Sequence, residues 1–136
     1  MDFNDTSDEA AYRARVRAFL EANAELKSDK APATRARYAE GPEAVARAKA
    51  WQGKKYEAGF AGITWPKAFG GQGGSPIQQV IYNQEEARFN VPRGTFEIGL
   101  GMCIPTLMAY AKPEQLERYV PKALRGEEVW CQLFSE

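Results

Sequence analysis

The feature that most constrains this chain is a single strand-like run at its end. The charged turn Gly126-Glu127-Glu128 opens an apolar run through Val129, Trp130, Leu133 and Phe134, the pattern with which a strand begins. A strand satisfies its backbone groups on a neighbour, and no partner strand follows it in this sequence, whose other signals are mostly helical. The sequence therefore predicts an all-α fold: a bundle of about five or six helices over 1–128, with the start of a β-strand over 129–136.

Helix punctuation accounts for the rest. Thr6 followed by Glu9 fits a capping box, and Tyr12, Val16, Phe19 and Leu20 recur at helical spacing, which predicts a helix over about 6–23. The polar stretch KSDKAPATRARYAEG reads as a surface loop. Pro42 suits the first turn of a second helix that carries Val45, Ala46, Ala50, Trp51 and Tyr56 to Gly59, a C′ residue. Ser75, Pro76 and Gln78 form a second capping box, and the helix they open has Ile77, Val80, Ile81 and Gln84 along one side. GTFEIGLGMCIPTLMAYA is charged only at Glu97. It reads as a helix buried all round and broken or kinked at Pro105. PEQLERYVPKALRG then gives a short helix, a break at Pro121 and a last turn closed by Gly126.

Composition narrows the chemistry. The 136 residues suit one domain, and 18 basic residues cancel 18 acidic ones, leaving no basic excess for nucleic acid or an anionic membrane. There is no histidine, which excludes His-dependent nucleophilic catalysis within the chain. Cys103 and Cys131 lack metal-ligand spacing and read as reduced thiols; no metal site is expected. No apolar run approaches the ~20 residues of a membrane helix, and the acidic start resembles neither a signal nor a transit peptide. The expectation is a cytoplasmic protein.

Three stretches invite a chemical reading. FGGQGGS precedes a helix N-terminus, as anion cradles do, but it lacks both the dinucleotide and the P-loop spacing, so a tight turn is the better reading. Glu85 and Glu86 are adjacent, hence about 100° apart on a helix, and cannot share a proton as a dyad; a solvated or salt-bridged face with Arg88 is expected. Trp130 to Ser135 mixes apolar and aromatic groups with Gln132 and Ser135, a combination able to line a flat heteroaromatic ligand or simply a core.

In order along the chain, GITWPKAFGGQGG, NQEEARFNVP and PTLMAYAKPEQLERYVPKALRGEEVWCQLFSE resemble the N-terminal half of the acyl-CoA dehydrogenase family. The resemblance covers about residues 59 to 136. It implies an all-α first domain that runs into the flavin-binding strand of a β-domain, with the catalytic carboxylate in a later helical bundle. No catalytic residue is then expected in this chain. It implies FAD as cofactor, contacted by Gln132, Leu133, Phe134 and Ser135. It also implies an acyl pocket to which Glu97, Leu100 and Cys103 contribute. The partners implied are an acyl-CoA substrate, the remaining domains or a partner subunit in a homo- or hetero-oligomer, and electron-transfer flavoprotein as acceptor. Ala111-Lys112 replaces the usual Gly-Thr, and Leu116 stands where lysine is common; both bear on contacts rather than chemistry. The rival readings are a flavin monooxygenase of the same fold and a non-catalytic helical module that binds a partner chain.

Overall fold

The computed structural model describes residues 4–28 and 41–133. In order they form α1 (Ser7–Asn23), β1 (Glu25–Leu26), α2 (Pro42–Glu57), a 3-10 turn (Lys67–Phe69), α3 (Pro76–Glu86), β2 (Phe89–Asn90), a π turn (Gly99–Cys103), α4 (Ile104–Tyr110) and α5 (Pro113–Leu124). The fold is all-α, as the sequence predicts. Its strands are two residues each, antiparallel, with Glu25 opposite Asn90 and Leu26 opposite Phe89. That ribbon ties the end of α1 to the end of α3.

Local chemistry sets the helix ends. Thr6 Oγ1 accepts from the Glu9 amide at 3.3 Å while Glu9 Oε2 accepts from the Thr6 amide at 2.8 Å. Ser75 and Gln78 make the same reciprocal pair ahead of α3. Gly59, at φ 77°, ends α2: its amide bonds the Tyr56 carbonyl and the Phe60 amide bonds that of Lys55. Gly126, at φ 78°, closes α5 in the same way, with Glu127 bonded to Lys122. Each pair satisfies carbonyls that a helix C-terminus leaves open.

Two apolar clusters fill the interior. Tyr12, Val16, Leu20, Trp51, Phe60, Ile63, Ile81, Tyr82 and Phe89 form the larger, with Phe19 packed on its edge. Ile104, Val120 and Ala123 form the smaller, flanked by Trp65, Leu107, Met108 and Trp130. The glycine-rich stretch between them is a packing turn, not a cradle. A Cβ at Gly71 would lie 2.3 Å from the Trp65 carbonyl oxygen, and one at Gly74 would lie 2.8 Å from that of Ile63.

Several expectations are corrected. α3 buries Ile81, Tyr82 and Glu85, while Ile77 and Val80 are each 45% exposed. α2 turns Ala44, Ala48, Trp51 and Gln52 inward rather than Val45. α5 runs through Pro121 to Leu124 without a break. The bond that proline removes belongs to the Glu117 carbonyl, on an exposed residue where water can replace it. Pro105 does not end its helix either. The π turn before it bonds the Ile104 amide to the Gly99 carbonyl, five residues back, which widens the helix ahead of the proline ring. That helix is not buried all round: Ile98 and Met102 are exposed, and Tyr110 is 87% exposed. The loop expected over 27–41 lies largely outside the described residues.

Residues 129–133 form no strand. They cross the π turn instead, where Trp130 meets Tyr119 edge-on at 5.2 Å and lies over Gly99, whose Cβ would approach that of Trp130 to 3.1 Å. Without a ladder partner among the described residues, side-chain packing places this segment.

Candidate functional site

A cleft of about 500 Å³ opens between α2, α3 and the turn leading into the π turn, a volume within the range of small-molecule sites. α2 contributes Trp51, Gln52 and Lys55; α3 contributes Tyr82 and Glu86; the far wall holds Arg93, Phe96, Glu97 and Leu100. Gln52 is held by donating to the Leu124 carbonyl at 2.8 Å. The Tyr82 hydroxyl donates to Glu86 Oε1 at 2.9 Å, and burial together with that carboxylate drives the phenol well above its ordinary range. Arg93 Nη2 lies 3.9 Å from Glu86 Oε2. Lys55 is half-buried; loss of water pushes its ammonium down, and Glu86 partly restores it.

Glu97 and Leu100, expected at an acyl pocket, both line this cleft. Cys103 does not. It lies one turn on, its thiol donating to the Cys131 carbonyl across 3.9 Å. Of the expected flavin contacts, Gln132 is half-buried, with Nε2 3.5 Å from Met102 Sδ, and Leu133 is 91% exposed. Phe134 and Ser135 lie outside the described residues. The two groups of expected site residues thus meet on one helical turn: Leu100 faces the cleft, while Met102 and Cys103 touch the segment 131–132.

Sequence reasoning missed Lys55, Tyr82, Glu86 and Arg93 as cleft residues. Lys55 carried a signal, since it follows Trp51 by four residues and so shares its inward face. A second, more apolar groove of about 440 Å³ runs between the 3-10 turn and α5, lined by Tyr56, Phe69, Leu116 and Val120. No group of three or more metal-ligating side chains occurs among the described residues. No helix among them is long and apolar enough to cross a membrane.

Compared with known proteins, residues 6–127 match the acyl-CoA dehydrogenase, N-terminal domain. This chain belongs to that family. The acyl-CoA dehydrogenase domain is 42% identical over 80 residues to acyl-CoA dehydrogenase FadE34 of Mycobacterium tuberculosis, which covers 59% of this chain and 11% of that protein. It is 38% identical over 94 residues to acyl-CoA dehydrogenase IpdE1 of Mycolicibacterium smegmatis, covering 69% of this chain and 24% of the relative. The solved Tcur3481-Tcur3483 steroid ACAD superposes with a TM-score of 0.66 at 26% identity, over 95% of this chain and 32% of that one. This chain therefore spans a third or less of the length of these relatives.

Proposed function

We propose that this acyl-CoA dehydrogenase domain supplies one wall each of the acyl and flavin sites of an FAD-dependent enzyme that desaturates an acyl-CoA thioester between its α and β carbons. The observation that carries this reading is the π turn: Glu97 and Leu100, at its start, line the cleft, and Trp130, Cys131 and Gln132 contact the same turn. An acyl chain in the cleft and a flat ring against that segment would then lie within one helical turn of each other.

The residues present fit a flavin edge. Among the described residues, 131–133 make no backbone–backbone hydrogen bond, so their amides remain available to ring oxygens and nitrogens. Leu133 offers an exposed apolar face beside them. Gln132, Leu133, Phe134 and Ser135 would hold the ring; FAD, when bound, accepts the hydride from the β carbon. Leu100 and the aromatic wall of the cleft exclude water from the chain, and Cys103 positions the flavin-facing segment through the Cys131 carbonyl. The carboxylate that removes the α proton is assigned outside this chain, in the remaining domains or a partner subunit, with electron-transfer flavoprotein as the acceptor. A cytoplasmic site of action accords with this chemistry.

Two outcomes follow. The purified 136-residue chain should be colourless and should not reduce a dye acceptor with acyl-CoA, because one edge of a flavin site cannot bury most of the ring and the proton-removing carboxylate is assigned outside this chain. Stoichiometric FAD retained through gel filtration, or dye reduction by this chain alone, would sink that expectation. In a complete enzyme containing this domain, anaerobic addition of acyl-CoA should bleach the flavin. A flavin that stays oxidised would remove the dehydrogenase reading.

A further inference from the structure

The cleft contains more charge than an aliphatic chain requires. Lys55 is half-buried there and, among the described residues, makes no hydrogen bond or ion pair. The charges acting on it are Glu86, which attracts, and Arg93, which repels. Glu86 is already occupied, accepting the Tyr82 hydroxyl at 2.9 Å and lying 3.9 Å from Arg93 Nη2. Glu97, the other acid of the lining, is exposed and does not figure among the charges acting on Lys55. The carboxylate that acts on Lys55 is therefore already engaged, and a partly desolvated ammonium is left short of acceptors. Such a group is costly unless an anion completes it.

We propose that the Lys55–Arg93 end of the cleft recognises an acid group on the acyl chain, so that the preferred ligand is a carboxyacyl thioester rather than a plain fatty acyl one. This rests on the cleft being the acyl site and deepens that reading. A carboxylate placed between Lys55 and Arg93 gains charge-assisted hydrogen bonds from both cations. A methyl end in the same place leaves Lys55 unsatisfied and sets an apolar group beside the Glu86 carboxylate and the Tyr82 hydroxyl, which line the same cleft.

The test compares two neutral-headed probes that differ only at the tail, the 7-carboxyheptanoyl and octanoyl thioesters of N-acetylcysteamine, by calorimetry on this chain. The carboxylated probe should bind about tenfold more tightly, as one charge-assisted hydrogen bond allows. Lys55→Gln should bring the ratio near one and Lys55→Arg should keep it. If Lys55→Gln fails to fold, the wild-type protein labelled at lysine side chains decides by NMR: the Lys55 resonance should move with the carboxylated probe and not with octanoyl. Equal affinities, a preference that survives Lys55→Gln, an unmoved Lys55 resonance, or no binding of either probe overturns the proposal. No flavin or CoA enters this assay, so a complete enzyme that fails to bleach would remove the dehydrogenase reading and leave the acid site standing.

Discussion

Leu124→Ala should lower the stability of this domain by about 3–4 kcal/mol, within the range for fully buried leucines. Leu124 is 0% exposed and lines both the large cleft and the apolar groove, so its side chain is the partition between them. The site cannot easily collapse around a void. Gly62 and Gly70 approach the leucine methyls, a Cβ on them lying 3.1 and 3.5 Å away, and both hold positive φ in the turn beneath Trp65. Two residues on, Gly126 fixes the end of α5. Truncation therefore joins two clefts rather than shrinking one. In urea, the midpoint should fall with little change in slope, and the melting temperature should drop by roughly 10–15 °C. Leu124→Met should cost less than about 1.5 kcal/mol, since it keeps the volume. A Leu124→Ala loss below ~1 kcal/mol would show that the partition is not structural.

What the sequence made legible was local. The boxes at Thr6/Glu9 and Ser75/Gln78 and the stops at Gly59 and Gly126 depend on residues within one turn of each other, and all four were read correctly. The all-α class followed from them. What was not legible needed a distant partner. Ile77 and Val80 are more apolar than Glu85, and period alone puts them inside. Glu85 goes in instead because α1, some seventy residues away, brings arginines to it. The run 129–133 has a strand's composition, yet Trp130 finds Tyr119 and Gly99 before any ladder partner.

The candidate site divides along the same line. Glu97 and Leu100 were reached through the family resemblance, and the cleft contains them. The charged end was not reached, since Lys55, Glu86 and Arg93 converge only after α2, α3 and the loop after β2 are packed together. Cys103 was expected at the acyl pocket, but the widened π turn carries it round to Cys131. A five-residue hydrogen-bond step shifts the helical phase, and a wheel drawn at 3.6 residues per turn cannot anticipate that.

Glu85→Ala should cost about 2–3 kcal/mol and should also remove much of the domain's resistance to acid. The carboxylate is 5% exposed and accepts from Arg17 Nε at 3.0 Å and Nη2 at 2.9 Å, from Arg13 Nη1 at 3.2 Å and from Arg88 Nη1 at 3.0 Å. A fully buried pair broken on one side costs more, about 3–5 kcal/mol. Here the arginines are 22–52% exposed and recover water when released, which sets the smaller figure. The Arg17 contact, followed by those of Arg13 and Arg88, holds the Glu85 carboxyl at about 2 against an ordinary 4.5, while burial acts in the opposite direction. Between those values the unfolded chain takes up a proton that the folded one refuses. This contribution is therefore complete above about pH 4.5 and is lost as the pH falls toward 2. Urea titrations at pH 7 and pH 3 should show wild type and Glu85→Gln converging in stability as the pH drops, since the amide has no proton to gain. If their difference stays constant across that range, the salt bridges between α1 and α3 hold the helices by shape rather than charge.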